Sequence, residues 1–189
     1  MIIIILVFIL SIVNGNMNDI QKWREEYQPQ LIDPLDNGLQ YEYKKEYVYI
    51  YSYDKKNNPV IYFNVSNYDK NDRILTDVKK LSIYILDSAL KLSNDNKFII
   101  IVDLEKFTIK KTLDFDMVIM VLNMLQSSEM LDLAIAINSP FIFKTAWNII
   151  QNFLTTQTKT KVKFYNKKDL INIVDYENLP LGFQNQTCN

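Results

Sequence analysis

Residues 17–40 contain no long repeat of apolar positions. Residues 18–27 are mostly polar and predict a short helix. This helix is expected to end before the Gln28-Pro29 pair, because proline disfavours helical conformation in the residue that precedes it. Residues 28–40 contain two prolines, an Asn-Gly pair and few periodic apolar positions. They therefore predict an irregular connection.

A strict alternation of residue types begins at Tyr47. Four tyrosines alternate with other residues up to Tyr53, which predicts a strand carrying all four rings on one face. Residues 59–65 predict a second strand, and the turn-like sequence between the two predicts a hairpin. The tyrosines could stack on bases or sugars, but packing across the hairpin is the favoured interpretation.

The centre of the chain alternates helical patterns with short apolar runs. Apolar residues recur at helical spacing from Arg73 to Leu92, which predicts an amphipathic helix over a sheet. Residues 98–102 are all apolar, as in a central strand buried on both faces. This alternation predicts an α/β domain with a largely parallel sheet. The other predicted elements are strands over 133–137 and 161–165 and helices over 113–126 and 169–174.

The segment 137–154 combines a strand end, a turn at Pro140 and a helix with a broad apolar face. Its polar residues form only a narrow stripe along that helix. Residues 117–125 are also apolar on almost every side. So many apolar faces indicate either an efficiently packed core or an apolar ligand inside the protein, and composition alone favours the core.

Composition excludes several kinds of chemistry. The chain has no histidine, which removes the usual general base and the usual zinc ligand. Cys188 is its single cysteine, so a disulfide framework or thiolate cluster cannot form. None of the three glycines lies between a strand and a helix, where a phosphate-binding loop needs them. A net charge of −1 provides no basic field for nucleic acid. These features predict a protein that is not an enzyme and binds neither metal nor nucleic acid.

Three aspartates lie at the ends of predicted helices or strands, where a carboxylate can be functional. Asp114 and Asp116 could form a carboxylate pair, but the first turn of a helix favours negative charge and explains them better. Asp103 ends a buried strand, where α/β folds place ligand-binding groups. A turn-capping role for Asp103 is equally compatible with this position.

The N-terminal residues 1–16 contain an apolar run of about a dozen residues. The run is too short for an ordinary membrane-spanning helix. It has the length of the apolar part of a signal peptide but lacks preceding basic residues. A signal or anchor segment and a buried or artefactual leader are both compatible with it.

The order of several motifs resembles that of the CRAL-TRIO lipid-binding domain family over roughly residues 20–183. The resemblance begins with WREEY at 23–27 and NPVIY at 58–62. It continues with FIIIVDLE from Phe98 and with the whole stretch 125–154, which includes INSPFIF followed by WNIIQNFL. It ends with TKTKVKFY and ENLP.

This resemblance implies a domain organisation and a fold. Residues 17–40 would be the remnant of a preceding helical region and its connection, 41–183 the lipid-binding domain and 184–189 a tail. The fold would be α/β, with a mixed, largely parallel sheet, helices packed over it, and a mobile helical gate over an apolar pocket. Residues 137–154 would form that gate.

The resemblance also implies the residues of a site. The pocket and gate would be lined by Phe98, Ile100, Val102, Met117, Met120, Val121, Met124, Phe141, Phe143, Trp147 and Ile150. The lipid headgroup would contact Glu129, Thr158 and Lys161. Phe98 stands where phosphatidylinositol-binding members carry a serine.

The implied function is non-catalytic binding of one phospholipid or other hydrophobic molecule, with transfer or presentation at membranes. No cofactor is expected besides the bound lipid, and the partner is a transient membrane surface. The expected location is the cytoplasm with peripheral membrane association, or the secretory pathway if residues 1–15 are a signal segment. The alternative function is an interaction scaffold that has lost its lipid pocket.

Overall fold

The structure is a computed structural model that describes residues 19–108, 114, 116–117, 129–179 and 183. The helix predicted over 113–126 therefore lies almost wholly outside the described residues. The helices are α1 (Asp19–Tyr27), α2 (Asn37–Tyr43), α3 (Leu75–Leu92), α4 (Phe141–Ile150) and α5 (Thr156–Lys161). The strands are β1 (Val48–Tyr53), β2 (Pro59–Asn64), β3 (Phe98–Asp103), β4 (Leu131–Ile137) and β5 (Val162–Tyr165). Short 3-10 helices cover Pro29–Leu31, Val65–Asn67, Gln151–Phe153, Lys167–Asn172 and Tyr176–Asn178.

The five strands form one sheet in the order β1-β2-β3-β4-β5. β1 and β2 pair antiparallel, as the hairpin prediction requires, and the other three pairings are parallel. β3 is central, and every residue from Phe98 to Ile101 is buried. Strand residues directly opposite each other on one face form rows that cross the sheet. The predicted α/β fold with a mostly parallel sheet is confirmed.

The first face of the sheet is covered near β1 and β2 by α3. The buried positions of α3 include Val78, Leu81, Ile85 and Ala89, which match the predicted helical spacing. Ile74 lies just before the helix and is exposed, so the amphipathic repeat begins one residue outside the element it predicts. Burial of such a face stabilises a helix more than its intrinsic propensity does.

The irregular connection predicted over 28–40 is wrong in its last four residues, because α2 begins at Asn37. The Asp36 carboxylate caps this helix by accepting hydrogen bonds from the backbone amides of Gly38 and Leu39. A side chain at Gly38 would overlap the Asp77 carboxylate, so glycine permits α2 to approach α3 closely. Burial of Leu39 then holds the short helix in place.

The predicted face of four tyrosines is also wrong. Tyr47 precedes β1 and is buried on the first face, whereas Tyr49 and Tyr51 pack on the second face. Glu46, directly before Tyr47, has a φ of 52°, in the left-handed region. Tyr47 and Val48 both pack in the first-face cluster, so the strand alternation does not extend to Tyr47. A register shift between Ile50 and Ser52 further interrupts the alternation.

The second face of the sheet is closed by the C-terminal 3-10 helices. β3 and β4 present large aliphatic side chains here, and those of Ile99, Ile101, Ile135 and Ile137 are almost fully buried. The helix predicted over 169–174 occurs as the 3-10 helix Lys167–Asn172. The residues that complete this cluster are Val60, Tyr62, Leu170, Val174, Leu179 and Phe183.

Candidate functional site

The first face of β4 carries unusually small side chains. Ala134 lies between Ile100 of β3 and Val162 of β5, and Ala136 lies between Val102 and Phe164. On its second face the same strand carries two isoleucines. Neighbouring strands are about 4.8 Å apart, so the two alanines form a depression one strand wide between larger side chains. We call this depression, defined by Ala134 and Ala136, the alanine trough.

Aromatic side chains surround the alanine trough. The Phe143 ring centroid lies 5.9 Å from that of Phe107 and 6.3 Å from that of Phe164. Trp147, one turn further along α4, lies 5.7 Å from the Phe164 ring. All four side chains pack against the first-face core but are only partly buried. We call Phe107, Phe143, Trp147 and Phe164 the aromatic cover.

Several of the predicted pocket residues lie together on this face. Phe98 and Ile100 are buried in β3, Val102 is partly buried beside them, and Met117 joins the same cluster. Phe143 and Trp147 belong to the aromatic cover described above. Contact of these six residues with a lipid stays a prediction.

Other predicted pocket residues are placed differently. Phe141, at the first position of α4, is 85% exposed. Met120, Val121 and Met124 lie outside the described residues, and so does the side chain of Ile150. Their assignment to the pocket stays a prediction.

The predicted headgroup residues lie at the end of the sheet where β4 and β5 begin. The Lys161 ammonium donates a hydrogen bond of 2.6 Å to the carbonyl oxygen of Leu131. Thr158 is fully buried, and its hydroxyl oxygen lies 2.9 Å from that of Thr155, which caps α5. Glu129 is exposed in the turn before β4. Their contact with a headgroup stays a prediction.

A second lysine, Lys97, lies at this end of the sheet and was not predicted from the sequence. The ammonium of Lys97, the residue before β3, donates to the carbonyl oxygen of Glu129. Burial and the positive charge of Lys97 lower the pKa of Lys161, while Asp132 and Glu129 act in the opposite direction. The residues around Lys97 in the sequence do not indicate this contact, because only the parallel pairing of β3 with β4 brings Lys97 to residue 129.

Asp103 has the turn-capping role rather than an open ligand-binding position. Its carboxylate accepts hydrogen bonds from the Tyr62 hydroxyl and the Asn138 side-chain amide, both at 2.6 Å, and from the Glu105 backbone amide at 2.9 Å. Asp103 is also buried. A buried carboxylate with three donors is satisfied within the protein.

Asp114 is a buried carboxylate paired with the half-buried Arg73, a contact that the sequence does not reveal. Its carboxylate accepts hydrogen bonds from the Tyr68 hydroxyl and from both Nε and Nη2 of Arg73. Arg73 also pairs with Asp116 at 2.8 Å. Burial alone would raise the pKa of Asp114, but the hydrogen bonds from Arg73 and Tyr68 lower it below its ordinary value. We call this set of contacts the Arg73 clamp.

The described residues contain no cluster of three or more side chains suited to hold a metal ion. Among the same residues, no helix combines the length and apolar character needed to cross a membrane. The first face offers apolar contacts from the aromatic cover, and the ammonium groups of Lys97 and Lys161 lie where β3 and β5 begin.

Known proteins resemble this chain in sequence and in architecture. Residues 43–183 match the model of the CRAL/TRIO domain. A CRAL-TRIO domain-containing protein of Schizosaccharomyces pombe is 27% identical over 164 residues, which are 80% of this chain and 46% of that protein. The chain thus spans less than half the length of this curated relative.

The crystal structure of Sfh5 has the same fold, with a TM-score of 0.62 at 19% identity, covering 95% of this chain and 69% of that one. CRAL-TRIO domains typically bind lipids, and the members of the family are mostly non-catalytic. With the family model matching most of its length, the chain belongs to the CRAL/TRIO domain family.

Proposed function

We propose that this protein binds a single hydrophobic ligand, a phospholipid or another lipid, between the first face of its sheet and α4, and transfers or presents it at membranes. The observation that carries the proposal is the alanine trough beneath a partly exposed aromatic cover. Each methylene group that enters such a site gains about 0.8 kcal/mol from removal from water. An acyl or isoprenoid chain therefore supplies enough binding energy without any chemical step.

The polarity of the site supports an amphiphilic ligand. Around the alanine trough the side chains are aliphatic or aromatic, whereas Lys97 and Lys161 lie where β3 and β5 begin. A ligand with an apolar chain over the trough and a polar end near these lysines satisfies both environments. Glu129, Thr158 and Lys161 are the proposed headgroup residues.

An interaction scaffold is the second candidate function. Leu31 is 71% exposed and Leu35 is 78% exposed, so the connection before α2 presents apolar side chains to a partner. In that case the alanine trough is ordinary core, and the protein binds no lipid.

Recovery of a lipid from the purified protein separates the two functions. We expect native mass spectrometry of the full chain to show one bound lipid per protein, and organic extraction to identify it. The delipidated protein should take up one equivalent from phosphatidylcholine vesicles. Absence of both stoichiometric lipid and vesicle uptake in repeated preparations would contradict lipid binding and leave the scaffold.

Membrane docking through the start of α4 is a separate expectation. Phe141 and Ile142 are both exposed at the first turn of α4, directly before Phe143 of the aromatic cover. Replacing Phe141 with serine should weaken binding to phosphatidylcholine vesicles about tenfold, because a phenylalanine side chain buried in lipid contributes about 1.5–3 kcal/mol. Cosedimentation with vesicles measures the loss.

The control for membrane docking is Leu92→Ser, since Leu92 is also exposed but ends α3 on another element. Both substitutions should leave the free energy of unfolding within about 0.5 kcal/mol of the original protein. Equal loss of vesicle binding in both variants would show that α4 is not the docking element.

We place the protein in the cytoplasm with peripheral membrane association, and the secretory alternative depends on residues 1–15.

A further inference from the structure

The strands on either side of the alanine trough set its width. Ile100 and Val102 of β3 form one wall of the trough. Val162 and Phe164 of β5 form the other wall. Neighbouring strands are about 4.8 Å apart, so the two wall strands lie about 9.6 Å from each other. Because side chains stand roughly perpendicular to a sheet, the two walls face each other at about this spacing.

One hydrocarbon chain fits between walls at this spacing, but two chains side by side do not. Carbon atoms in contact lie about 3.5–4.0 Å apart. A single chain that touches both walls needs two such contacts, which take up about 7–8 Å. Two chains side by side need three contacts, or about 10.5–12 Å, which is more than the spacing of the wall strands. The trough therefore accepts one chain that runs along β4.

The aromatic cover includes a row of contacting rings that links the two sides of the trough. Phe107 lies four residues after β3, and Phe164 belongs to the wall on β5. The Phe143 ring contacts both, with centroid distances of 5.9 Å and 6.3 Å. Rings that pack together have centroids about 4.5–7 Å apart. A second chain stacked over the first would have to separate these rings.

We propose that the alanine trough selects lipids with a single hydrocarbon chain, such as a fatty acid, a lysophospholipid or an isoprenoid, over two-chain phospholipids. The inference rests on the proposed lipid-binding function and names the class of lipid. Val162 and Phe164 set the limit, because β5 is the last strand of the sheet and their side chains close the trough on that side. A two-chain phospholipid places one chain in the trough and leaves the other outside.

Mixed vesicles of phosphatidylcholine and lysophosphatidylcholine test this selection, since the two lipids share a headgroup and differ in the number of chains. The delipidated full chain is incubated with these vesicles, and native mass spectrometry with organic extraction gives the ratio of the bound lipids. We expect lysophosphatidylcholine to be enriched at least about tenfold over the vesicle composition. A tenfold enrichment corresponds to about 1.4 kcal/mol, which is less than two methylene groups of a second chain lose by remaining in water.

Variants that widen the trough separate this selection from the readiness of lysophosphatidylcholine to leave vesicles. Val162→Ala and Phe164→Ala each remove part of the wall on β5 and open the trough toward the edge of the sheet. Each should shift the bound lipid toward phosphatidylcholine, and the double variant should reduce the enrichment at least about tenfold. Val162→Ala tests the width alone, because Val162 lies outside the aromatic cover.

Tyr165→Ala is the matched control. Tyr165 is the aromatic residue that follows Phe164 on β5, pairs with Ile137, and packs on the second face of the sheet. Its replacement removes a ring of similar size from the same strand and should leave the ratio of bound lipids unchanged. Urea unfolding shows whether each variant is folded, and Val162→Ala alone decides the test if Phe164→Ala is not.

The outcomes separate this inference from the proposed function. Retention of both lipids in the proportion of the vesicles overturns the single-chain inference and leaves lipid binding standing. The inference also fails if the enrichment survives in the wall variants, or if Tyr165→Ala removes it as fully as they do. If the protein retains neither lipid, the proposed function fails together with the inference.

Discussion

Replacing Asp114 with asparagine is expected to lower the free energy of unfolding by about 2 kcal/mol. Asp114 is buried and accepts hydrogen bonds from Arg73 and from the buried Tyr68 hydroxyl. The substitution removes the negative charge and leaves the guanidinium with only the exposed Asp116 as an anionic partner in the clamp. The half-buried guanidinium loses charge-assisted hydrogen bonds to Asp114, and each hydrogen bond to a charged group contributes about 1.5–3 kcal/mol. Urea unfolding measures the difference.

The double variant Arg73→Met/Asp114→Asn is the control for this expectation. It removes both charges and keeps a side-chain oxygen that can accept from the Tyr68 hydroxyl, so the double variant should be more stable than the single Asp114→Asn variant. A loss below about 0.5 kcal/mol in the single variant would contradict the expectation, because only surface substitutions are normally that mild.

The pH dependence of the Arg73 clamp has a defined sign. The pKa of Asp114 is lower in the folded protein than its ordinary value, so the clamp stabilises the folded state when the carboxyl is ionised. That contribution is complete above the ordinary aspartate pKa of about 3.9 and is lost as the pH falls through the lower folded pKa. The stability difference between the original protein and Asp114→Asn should therefore be full at pH 7 and shrink below about pH 4.

Elements that depend on a long apolar pattern were predictable from the sequence. The run from Phe98 has no polar face, and β3 is indeed the central strand. The helical repeat between Arg73 and Leu92 places its buried residues correctly. In both cases burial of a regular pattern decides the structure, and the pattern is contained in neighbouring residues.

Features that depend on one backbone angle or on distant pairing were not predictable. Glu46 has a φ of 52° in the turn before β1, and a non-glycine residue gives no clear warning of such a turn, so the alternation was wrongly extended to Tyr47. Arg73 and Asp114 are 41 residues apart, and Lys97 and Glu129 are 32 apart. Only the folded chain brings either pair together.

The sequence indicates the alanine trough through residue size rather than through the spacing of apolar positions. The sequence LAIAI in β4 alternates alanine with isoleucine, although both faces of the strand are covered. In a strand buried on both sides, such alternation means that one face receives much less side-chain volume than the other. Its position under α4, however, follows only from the pairing with β3 and β5.

Filling the alanine trough should strongly reduce lipid uptake without unfolding the protein. Ala136→Phe places an aromatic ring between Val102 and Phe164, beneath the partly exposed aromatic cover. Space that a ligand occupies can accept this ring, so we expect the free energy of unfolding to fall by less than about 1.5 kcal/mol. We expect at least about a tenfold loss of retained lipid, because displacing two methylene groups from the site already removes about 1.6 kcal/mol. Native mass spectrometry after vesicle incubation measures the retained lipid.

Two control variants decide what such a result means. Ala89→Phe introduces the same ring into the closed packing of α3, where Ala89 is fully buried, and should cost about 1–3 kcal/mol or more. Ile135→Val shortens a second-face residue of β4, should cost about 0.5–1.5 kcal/mol and should retain lipid fully. If Ala136→Phe destabilises the protein as much as Ala89→Phe does, the trough is closed core and the scaffold function is favoured. If Ala136→Phe is stable and still retains lipid, the ligand lies elsewhere.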